Sequence, residues 1–326
     1  MQELGGLGFS PLHESSATAA DFRSQLPLAE VFRRLETARL AVAVHLLLDF
    51  DVPRPKALLG DEHFRRLLAA IRQVVKLGGH NGFRISAAGA DSAVFQRLSQ
   101  EIAKQTGLTH LPEEGELLLR VRRQKNSWQV LVRLTNRPLS ARPWRVCNRE
   151  GGLNASIAAA MNRLLVKDRD PAGSYLNAFC GSGTLLAEWL GEHRAATAAG
   201  FDSEPAALAC ARQNLAWAGN RVELFEADAA YTRLPDAAYD FIAADPPWGD
   251  DIGSHSGNAE LYPAFLTEAE RILVPGGRLA LLSHELKLTR RLLKAQRGFE
   301  VLDELQVWHG GHRPVIWLLQ KQRPHQ

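Results

Sequence analysis

The second half of the chain carries short apolar runs that alternate with helical segments. Runs of this length, bounded by turn residues, are typical of strands buried in a parallel sheet. Two further runs, residues 299–308 and 314–319, flank Gly310-Gly311 and predict a hairpin. The pattern predicts an α/β fold with a seven-stranded sheet, five strands alternating with helices and two closing as an antiparallel pair. The five strands that precede the hairpin are predicted at residues 175–179, 197–201, 221–225, 239–244 and 278–282.

The first half of the chain mixes helices with strands in which apolar and polar residues alternate. Residues 92–106 carry apolar side chains at helical spacing, and a polar turn at Lys125-Asn126 joins two alternating strands. This half therefore predicts an α+β arrangement. Up to residue 165, the predicted helices cover residues 1–4, 92–106 and 154–165, and the predicted strands cover residues 41–50, 83–87, 116–122 and 128–134.

A glycine loop follows the first strand of the second half. Gly181 and Gly183 permit a tight turn with close backbone approach, and the next helix begins near Thr184. A dinucleotide fingerprint needs a third glycine where Leu186 stands, and the sequence contains no Walker A loop. The loop therefore favours a nucleotide-like ligand that has no pyrophosphate, such as S-adenosylmethionine.

Two acidic residues follow the next two predicted strands. Asp202 lies 21 residues after Gly181, where a carboxylate can bind both hydroxyls of a ribose. Residues 202–205 are also typical of a helix N-terminus, and the two roles are compatible. Asp228 lies in an Ala-Asp-Ala turn, a usual position for a residue that binds an adenine amino group, although alone it is more often only a turn residue.

The sequence Asp245-Pro246-Pro247-Trp248 follows the fourth strand of this half. Alone, these residues predict a Pro-Pro turn that closes a strand. They also suit a planar base with an exocyclic amine, because the carboxylate and the Pro246 carbonyl can each accept an N–H while Trp248 stacks on the ring. The glycine loop and the acidic residues follow neighbouring strands of the same predicted sheet, where open α/β folds bind their ligands. Together these signals indicate methylation of an amine by S-adenosylmethionine.

Residues 174–320 resemble the S-adenosylmethionine-dependent methyltransferases that modify exocyclic amines and have a Rossmann-like domain. An Asn/Asp-Pro-Pro-aromatic signature is shared by DNA amino-methyltransferases, protein glutamine methyltransferases and RNA guanine methyltransferases, so the motif leaves the substrate open. The resemblance implies that Asp245, Pro246, Pro247 and Trp248 are catalytic. It implies cofactor contacts at Asn177, Phe179, Gly181, Ser182, Gly183, Thr184, Asp202, Ser203, Asp228, Ala229 and Asp245.

The composition is that of a globular protein, with 326 residues of which 45% are apolar and 23% charged. This length predicts two or three domains. The apolar run at residues 40–48 is too short to span a bilayer, and the first residues lack a basic segment typical of a secretion signal. Cys147, Cys180 and Cys210 lack metal-like spacing. We therefore expect a cytoplasmic protein with reduced thiols, no bound metal and no membrane partner.

The net charge of +3 is unevenly distributed. Residues 1–150 have 22 Lys/Arg against 15 Asp/Glu (+7), and residues 151–326 have 17 against 21 (−4). Residues 120–149 contain nine basic side chains and no acidic one. Such a run is often only a solvated face, but its length and arginine content favour phosphate binding. The residues expected to bind RNA are Arg120, Arg122, Arg123, Lys125, Arg133, Arg137, Arg142, Trp144 and Arg145.

The order of elements in residues 80–165 resembles a THUMP domain, an RNA-binding module of tRNA- and rRNA-modifying enzymes. Residues 1–80 resemble part of the ferredoxin-like domain that precedes this module, but the pattern has no counterpart of its first apolar strand. The resemblance therefore predicts a ferredoxin-like domain at residues 1–80, a THUMP domain at 81–145 and a Rossmann-like methyltransferase domain at 146–326.

The whole chain resembles the THUMP-containing methyltransferases that modify the 2-amino group of a guanosine in tRNA, particularly the subgroup acting at position 6. Residues 245–275, with Trp248-Gly249, Leu261-Tyr262 and Phe265, carry the closest resemblance. One departure is Asn177-Ala178, where the family more often has Asp-Pro. An amide can accept a hydrogen bond from the methionine ammonium only without charge assistance, so we expect weaker cofactor binding.

Several substrates remain open from the sequence. A guanosine at tRNA position 10 or in 23S rRNA would need the same chemistry. A DNA amino-methyltransferase or a protein glutamine methyltransferase would hold its amine in the same way, with the residues of the Asp-Pro-Pro-Trp motif, which we call the clamp. An RNA-binding protein without catalytic activity is an alternative of a different class. The basic first half favours tRNA as the partner, and we expect a monomer.

Overall fold

The computed structural model describes residues 2–16, 19–193, 197–248 and 255–323. It divides into two compact units, Met1–Ala141 and Arg142–Gln326. This division falls inside the basic segment, close to the predicted domain boundary at residue 145. The predicted boundary at residue 80 stays a prediction. Within the described ranges, none of the helices combines the length and apolar character that crossing a membrane requires.

The first unit contains a two-stranded hairpin and a five-stranded mixed sheet. The strand predicted at residues 41–50 begins only at His45. The sequence pattern does not predict this hairpin. Its first strand reads Ser-Pro-Leu-His-Glu-Ser-Ser and has no apolar alternation. The elements are α1 (Gln2–Gly6), β1 (Ser10–Ser16), β2 (Ala19–Arg23), α2 (Leu28–Leu35), β3 (His45–Phe50), α3 (Asp61–Val75), β4 (Gly82–Ser86), α4 (Ala93–Thr106), β5 (Thr109–His110), β6 (Leu117–Gln124) and β7 (Ser127–Arg133), with a 3-10 turn at Pro55–Leu59.

The five-stranded sheet has the order β3-β7-β6-β4-β5 and is covered on one face by α3 and α4. Strand β3 pairs antiparallel with β7, so a strand from the predicted first domain is part of the sheet formed by the predicted RNA module. Leu117, Leu119 and Val121 of β6 are buried in the core that the helices cover. Since side chains alternate along a strand, Arg120 and Arg122 lie on the opposite face.

Most of the basic side chains between Arg120 and Arg137 are exposed, but Arg133 is buried. Its side chain is only 4% exposed, and its guanidinium donates to the carbonyl oxygens of Glu116, Thr135 and Asn136. This burial contradicts the predicted RNA contact, because the charge of Arg133 is used to hold the chain that follows β7. The exposed predicted RNA-binding residues of this unit are Arg120, Arg122, Arg123, Lys125 and Arg137.

The second unit alternates strands and helices as predicted. The helix predicted at residues 154–165 and the hairpin around Gly310-Gly311 are both present. The elements are α5 (Ala155–Leu165), β8 (Tyr175–Ala178), α6 (Thr184–Glu192), β9 (Ala198–Asp202), α7 (Pro205–Asn214), β10 (Val222–Glu226), β11 (Tyr239–Ala244), α8 (His255–Ile272), β12 (Leu273–Ser283), α9 (Leu286–Ala295), β13 (Phe299–Gln306) and β14 (Val315–Lys321), with a 3-10 turn at Ala216–Arg221.

These strands form a seven-stranded sheet of order β10-β9-β8-β11-β12-β14-β13. Its strands are parallel except β14, which pairs antiparallel with β12 and β13. Helices α5, α6 and α7 pack on one face, and α8 and α9 pack on the other. The prediction of a seven-stranded Rossmann-like sheet with helices on both faces is therefore confirmed. This arrangement brings the carboxyl ends of β8, β9, β10 and β11 to one edge.

Arg142, predicted to bind RNA, instead forms a buried ion pair within the second unit. Its Nε lies 2.9 Å from Oε1 of Glu188, and the two side chains are 8% and 0% exposed. A buried pair of this kind is unavailable to phosphate, so the predicted RNA role of Arg142 is wrong. Glu188 lies on α6, and the pair therefore ties the start of the second unit to the helix that follows the glycine loop.

The expectation of three reduced cysteines is also wrong. Cys147 and Cys210 form a disulfide across 63 residues of sequence, while Cys180 is a free, buried cysteine. Their Cα atoms lie 5.5 Å apart, within the range that a disulfide requires. Sequence spacing could not reveal this pair, because only the fold brings residue 147 beside α7.

The buried pair predicts a large difference between two arginine substitutions. Arg142→Ala leaves the Glu188 carboxylate buried without its guanidinium, which should lower the free energy of unfolding by about 3–5 kcal/mol. Arg149→Ala removes the partly exposed pair with Glu204 and should cost less than about 1 kcal/mol. Urea unfolding of both variants measures the difference, and equal losses would contradict the structural role of Arg142.

Candidate active site

The glycine loop leaves β8 through residues with a left-handed backbone. Phe179, Gly181 and Gly183 have φ of 51°, 52° and 80°, and the amide of Gly183 donates to the Cys180 carbonyl before α6 begins. A Cβ atom on Gly183 would lie 2.9 Å from the side chain of Leu215, whereas one on Gly181 would meet nothing within 4 Å. Gly183 therefore permits close packing of the helices, and Gly181 borders open space where a ligand can approach the backbone.

Asp202 connects the glycine loop to the tip of the next strand. Its Oδ2 accepts the amide of Gly181 at 2.8 Å, and its Oδ1 accepts the amide of Glu204 at 3.0 Å. The second bond stabilises the entry to α7, as the N-terminus interpretation expects. Ser203 beside it is exposed. The structure places Asp202 at the predicted cofactor edge, and its contact with a ribose stays a prediction.

Asn177 lies fully buried at the end of β8. Its amide nitrogen donates to the carbonyl oxygens of Ala178 and Ala243, which fixes the orientation of the side chain. Its Oδ1 is buried and has no hydrogen-bond partner among the described residues. A buried acceptor without a donor is costly, and the ammonium of a bound methionine moiety would supply one. The site therefore fits S-adenosylmethionine at this position.

Asp228 follows β10 at the same edge of the sheet. Its side chain is exposed, and its Oδ1 accepts the amide of Ala230 at 2.8 Å. Ala229 is buried beneath it in the core. This is the turn geometry expected of the local sequence. The exposed carboxylate is near the cofactor edge, and its predicted contact with adenine is untested.

The Asp245 carboxylate follows β11 and is hydrogen-bonded to the Trp248 indole. Nε1 of Trp248 donates to Oδ1 of Asp245 at 3.1 Å. Burial raises the pKa of Asp245 to about 7, and the hydrogen bond from Trp248 opposes this rise. A carboxylate with this pKa can accept a proton near neutral pH, as a catalytic base must. Trp248 therefore contacts the Asp245 carboxylate directly, and the catalytic roles predicted for both residues stay predictions.

A chain of hydroxyl groups supports the second proline of the motif. The Tyr262 hydroxyl donates to the Pro247 carbonyl at 3.2 Å and accepts from Ser283, which in turn accepts from the Thr289 hydroxyl. All three side chains are buried. The sequence motif does not reveal them, because they belong to α8, β12 and α9 and meet only in the folded unit. This network holds the backbone of the clamp in place.

The segment that begins the second unit also packs against the glycine loop. Asn214 of α7 accepts the amides of Val146 and Cys147 and donates to the carbonyls of Cys147 and Ser182. Arg145 donates to the Thr184 hydroxyl and the Leu153 carbonyl. Ser182 and Thr184 are thus structural parts of the loop, and Asn214 is a supporting residue that the sequence did not reveal.

Arg145 therefore supports the glycine loop, and Trp144 packs against the core beside it. The Arg145 guanidinium lies 5.3 Å from the ring of Trp144, and burial lowers the pKa of Arg145. The sequence predicts both as RNA-binding residues. Contacts within the protein are enough to explain why these two residues occur here. An RNA contact at either residue stays a prediction.

Family comparison agrees with this geometry. Residues 142–315, more than half of the chain, match the model of the family described as UPF0020: RMKL-like, methyltransferase domain. The chain belongs to this family. The match begins at Arg142, where the second compact unit also begins. Both the glycine loop and the Asp-Pro-Pro-Trp motif of this RMKL-like methyltransferase domain therefore lie within the matched region.

Proteins similar to this chain include some that are named as tRNA methyltransferases. The chain is 34% identical over 196 residues to the tRNA (guanine(6)-N2)-methyltransferase of Thermus thermophilus, covering 58% of this chain and 56% of that protein. It is 28% identical over 183 residues to the human tRNA (guanine(6)-N(2))-methyltransferase THUMP3, covering 51% of this chain and 36% of that protein. The matched regions thus span about half or less of these relatives.

A solved structure extends the similarity to both units. The crystal structure of TrmN from Thermus thermophilus superposes with a TM-score of 0.70 at 25% identity, covering 93% of this chain and 88% of that one. The predicted fold class is therefore confirmed for the first unit as well as for the RMKL-like methyltransferase domain. Gly249, named in the predicted motif region, lies outside the described residues.

The raised pKa of Asp245 predicts a pH dependence for methyl transfer. Only the ionised carboxylate can take a proton, so kcat/KM should rise with pH through about 7 and then level off. Trp248→Phe removes a hydrogen bond that lowers this pKa, which should move the rise to higher pH by about one unit. Rates measured at low substrate across the pH range provide the test.

Tyr262→Phe is the matched control for this pH profile. It removes a hydroxyl from the same pocket while leaving the bond between Trp248 and Asp245 in place, so its midpoint should equal that of the unaltered protein. A midpoint for Trp248→Phe at or below that value would show that Asp245 is not the titrating group.

Proposed function

We propose that this chain is an S-adenosylmethionine-dependent methyltransferase that modifies the exocyclic 2-amino group of a guanosine in tRNA, at position 6. One observation carries the proposal. Strand β8, which leads into the glycine loop, pairs in parallel with β11, which leads into the clamp, and Ala178 lies opposite Ala244. Cofactor loop and amine clamp therefore begin side by side at one edge of the sheet, as transfer between two bound reactants requires.

The cofactor would bind along the carboxyl ends of β8, β9 and β10. When bound, S-adenosylmethionine supplies an electrophilic methyl group on a positively charged sulfur. Asn177 would accept from the methionine ammonium through its Oδ1, and the open space at Gly181 allows close backbone approach. Asp202 and Asp228 would bind the ribose and the adenine, respectively. These contacts involve residues that the fold already holds in place.

The acceptor nitrogen would be held by the Asp-Pro-Pro-Trp motif. To reach it, the guanosine must leave its stack, which costs a few kcal/mol, and stacking on Trp248 offsets about 1–3 kcal/mol of this cost. The Asp245 carboxylate and the Pro246 carbonyl would accept the two amine N–H groups. Asp245 would then take the proton that the methylated nitrogen releases, for which a pKa of about 7 is suitable.

The proposed RNA substrate rests on the relatives and on the first unit. Two relatives are named as tRNA guanine(6) methyltransferases. The exposed face of the five-stranded sheet carries Arg120 and Arg122, and Arg123 and Lys125 follow on the same strand and turn. Arginine side chains of this kind suit phosphate groups. We propose that the protein acts on tRNA as a monomer in the cytoplasm. The tRNA substrate supports this location, whereas the cysteines do not, because Cys147 and Cys210 form a disulfide.

Substitution of the clamp carboxylate tests the proposed chemistry. Asp245→Asn should lower methyl transfer to unmodified tRNA by at least about 10²–10³-fold, because it removes charge at the position where the amine becomes cationic. Binding of tRNA, followed by calorimetry, should change little. Asp240→Asn, at the other end of the same strand, is the matched control and should retain most activity.

The modified position identifies the substrate. Mass spectrometry of RNase fragments from treated tRNA should locate one methyl group on the 2-amino group of guanosine 6. A methyl group at position 10 would correct the position, and transfer only to rRNA or DNA would contradict the proposed substrate. Cofactor binding without transfer to any nucleic acid would favour a non-catalytic role.

The exposed arginines predict a change in the salt dependence of tRNA binding. Neutralising Arg120, Arg122 and Arg123 together should weaken binding and reduce the slope of log affinity against log salt by about 2. Neutralising Arg65, Arg72 and Arg97 is the matched control, because these exposed residues lie on α3 and α4 over the other face of the sheet. Equal slopes for the two triple variants would show that the three arginines of β6 are only solvated and do not bind phosphate.

A further inference from the structure

A cluster of histidines faces the indole of Trp248 in the second unit. His284 directly follows β12, and His309 and His312 lie in the turn between β13 and β14. The ring centroids of His284, His309 and His312 lie 5.8, 5.4 and 6.1 Å from that of Trp248, and His284 lies 4.6 Å from His312. Nothing in the proposed chemistry so far uses these rings.

The clamp alone cannot identify guanine. Its acceptors bind two N–H groups of an exocyclic amine, and adenine also carries such an amine. Guanine differs by a carbonyl oxygen, O6, which lies on the same edge of the base as the 2-amino group, separated from it by the ring nitrogen N1, and accepts hydrogen bonds. A protein that selects guanine through this feature needs an N–H or O–H donor beside the clamp, within reach of O6 while the 2-amino group is bound.

His309 is already committed to holding the turn. Its Nε2 accepts the amide of Asn154 at 3.1 Å, so this nitrogen carries no proton and the ring is neutral with a proton on Nδ1. Burial, together with the charges of His312 and Arg145, lowers the pKa of His309 and favours this state. His309 therefore anchors the turn to the start of α5.

His312 is fixed through the same turn. The backbones of His309 and His312 exchange two hydrogen bonds, of 3.1 and 2.9 Å. The His312 ring stands nearly perpendicular to both Trp248, at 78°, and His284, at 70°. Anchoring by His309 thus sets the position of an imidazole whose centroid lies 6.1 Å from that of the indole on which the base is proposed to stack.

We propose that His312 is the residue that selects guanine, by donating an imidazole N–H to O6 of the base whose 2-amino group is held at Asp245. This proposal rests on the proposed function and names a specificity-determining contact within it. His309 acts as a positioning residue through the turn, and His284 packs against His312. An adenine whose 6-amino group enters the clamp offers no carbonyl oxygen to this donor.

The test compares two RNA substrates that differ at O6. One tRNA transcript carries guanosine at the target position, and the other carries 2-aminopurine, which keeps the 2-amino group and lacks O6 together with the N1 proton. His312→Phe keeps a ring and removes the donor. It should lower kcat/KM for guanosine about ten- to a hundred-fold and leave that for 2-aminopurine nearly unchanged. The retained 2-aminopurine rate also reports that the variant is folded.

Two further variants separate selection from support. His312→Gln keeps a side-chain N–H donor and should restore much of the preference for guanosine. His309→Phe disturbs the anchor of the turn and should lower the rates with the two substrates by more similar factors. A ratio of guanosine to 2-aminopurine rates that is the same in His312→Phe and the unaltered protein would overturn the proposal. Absence of transfer to guanosine by the unaltered protein would instead contradict the proposed function itself.

Discussion

The parallel pairing of β8 with β11 is the constraint on which the rest of the site depends. Residues 175–178 lie opposite residues 241–244, so the two strands end together. The glycine loop directly follows β8, and the Asp245 motif directly follows β11. A shift of one residue in this register would turn every side chain of one strand to the opposite face. Tyr175 is buried in the core on one face of the sheet, and Leu176 is buried in the core on the other face. Such a shift would remove both side chains from these cores.

Much of this arrangement could be predicted from local patterns. The strands of the second unit are short apolar runs between turn residues, and glycine and acidic residues occur where each strand ends. In an open parallel sheet these ends meet at one edge, so order along the chain is enough to predict a shared site. The hairpin β1–β2 could not be predicted in this way, because its residues lack the apolar alternation that marks a strand.

Long-range side-chain contacts account for the remaining differences. Arg133 and Arg142 look like surface cations in a basic segment, yet carbonyl groups and Glu188 bind them in the interior. Asn214, Tyr262 and Ser283 carry no motif, and only the folded unit shows that they hold the glycine loop and the clamp. Composition indicates how many charges a segment has, whereas the partners of each charge depend on residues distant in sequence.

The Cys147–Cys210 disulfide makes part of the second unit a covalent ring. This ring encloses α5, β8, α6, β9 and the start of α7, and therefore the entire glycine loop. A protease that cuts once between residues 148 and 209 would open the ring but release no fragment, since the two new ends stay joined through sulfur. Electrophoresis would show an intact mass until a thiol reductant is added.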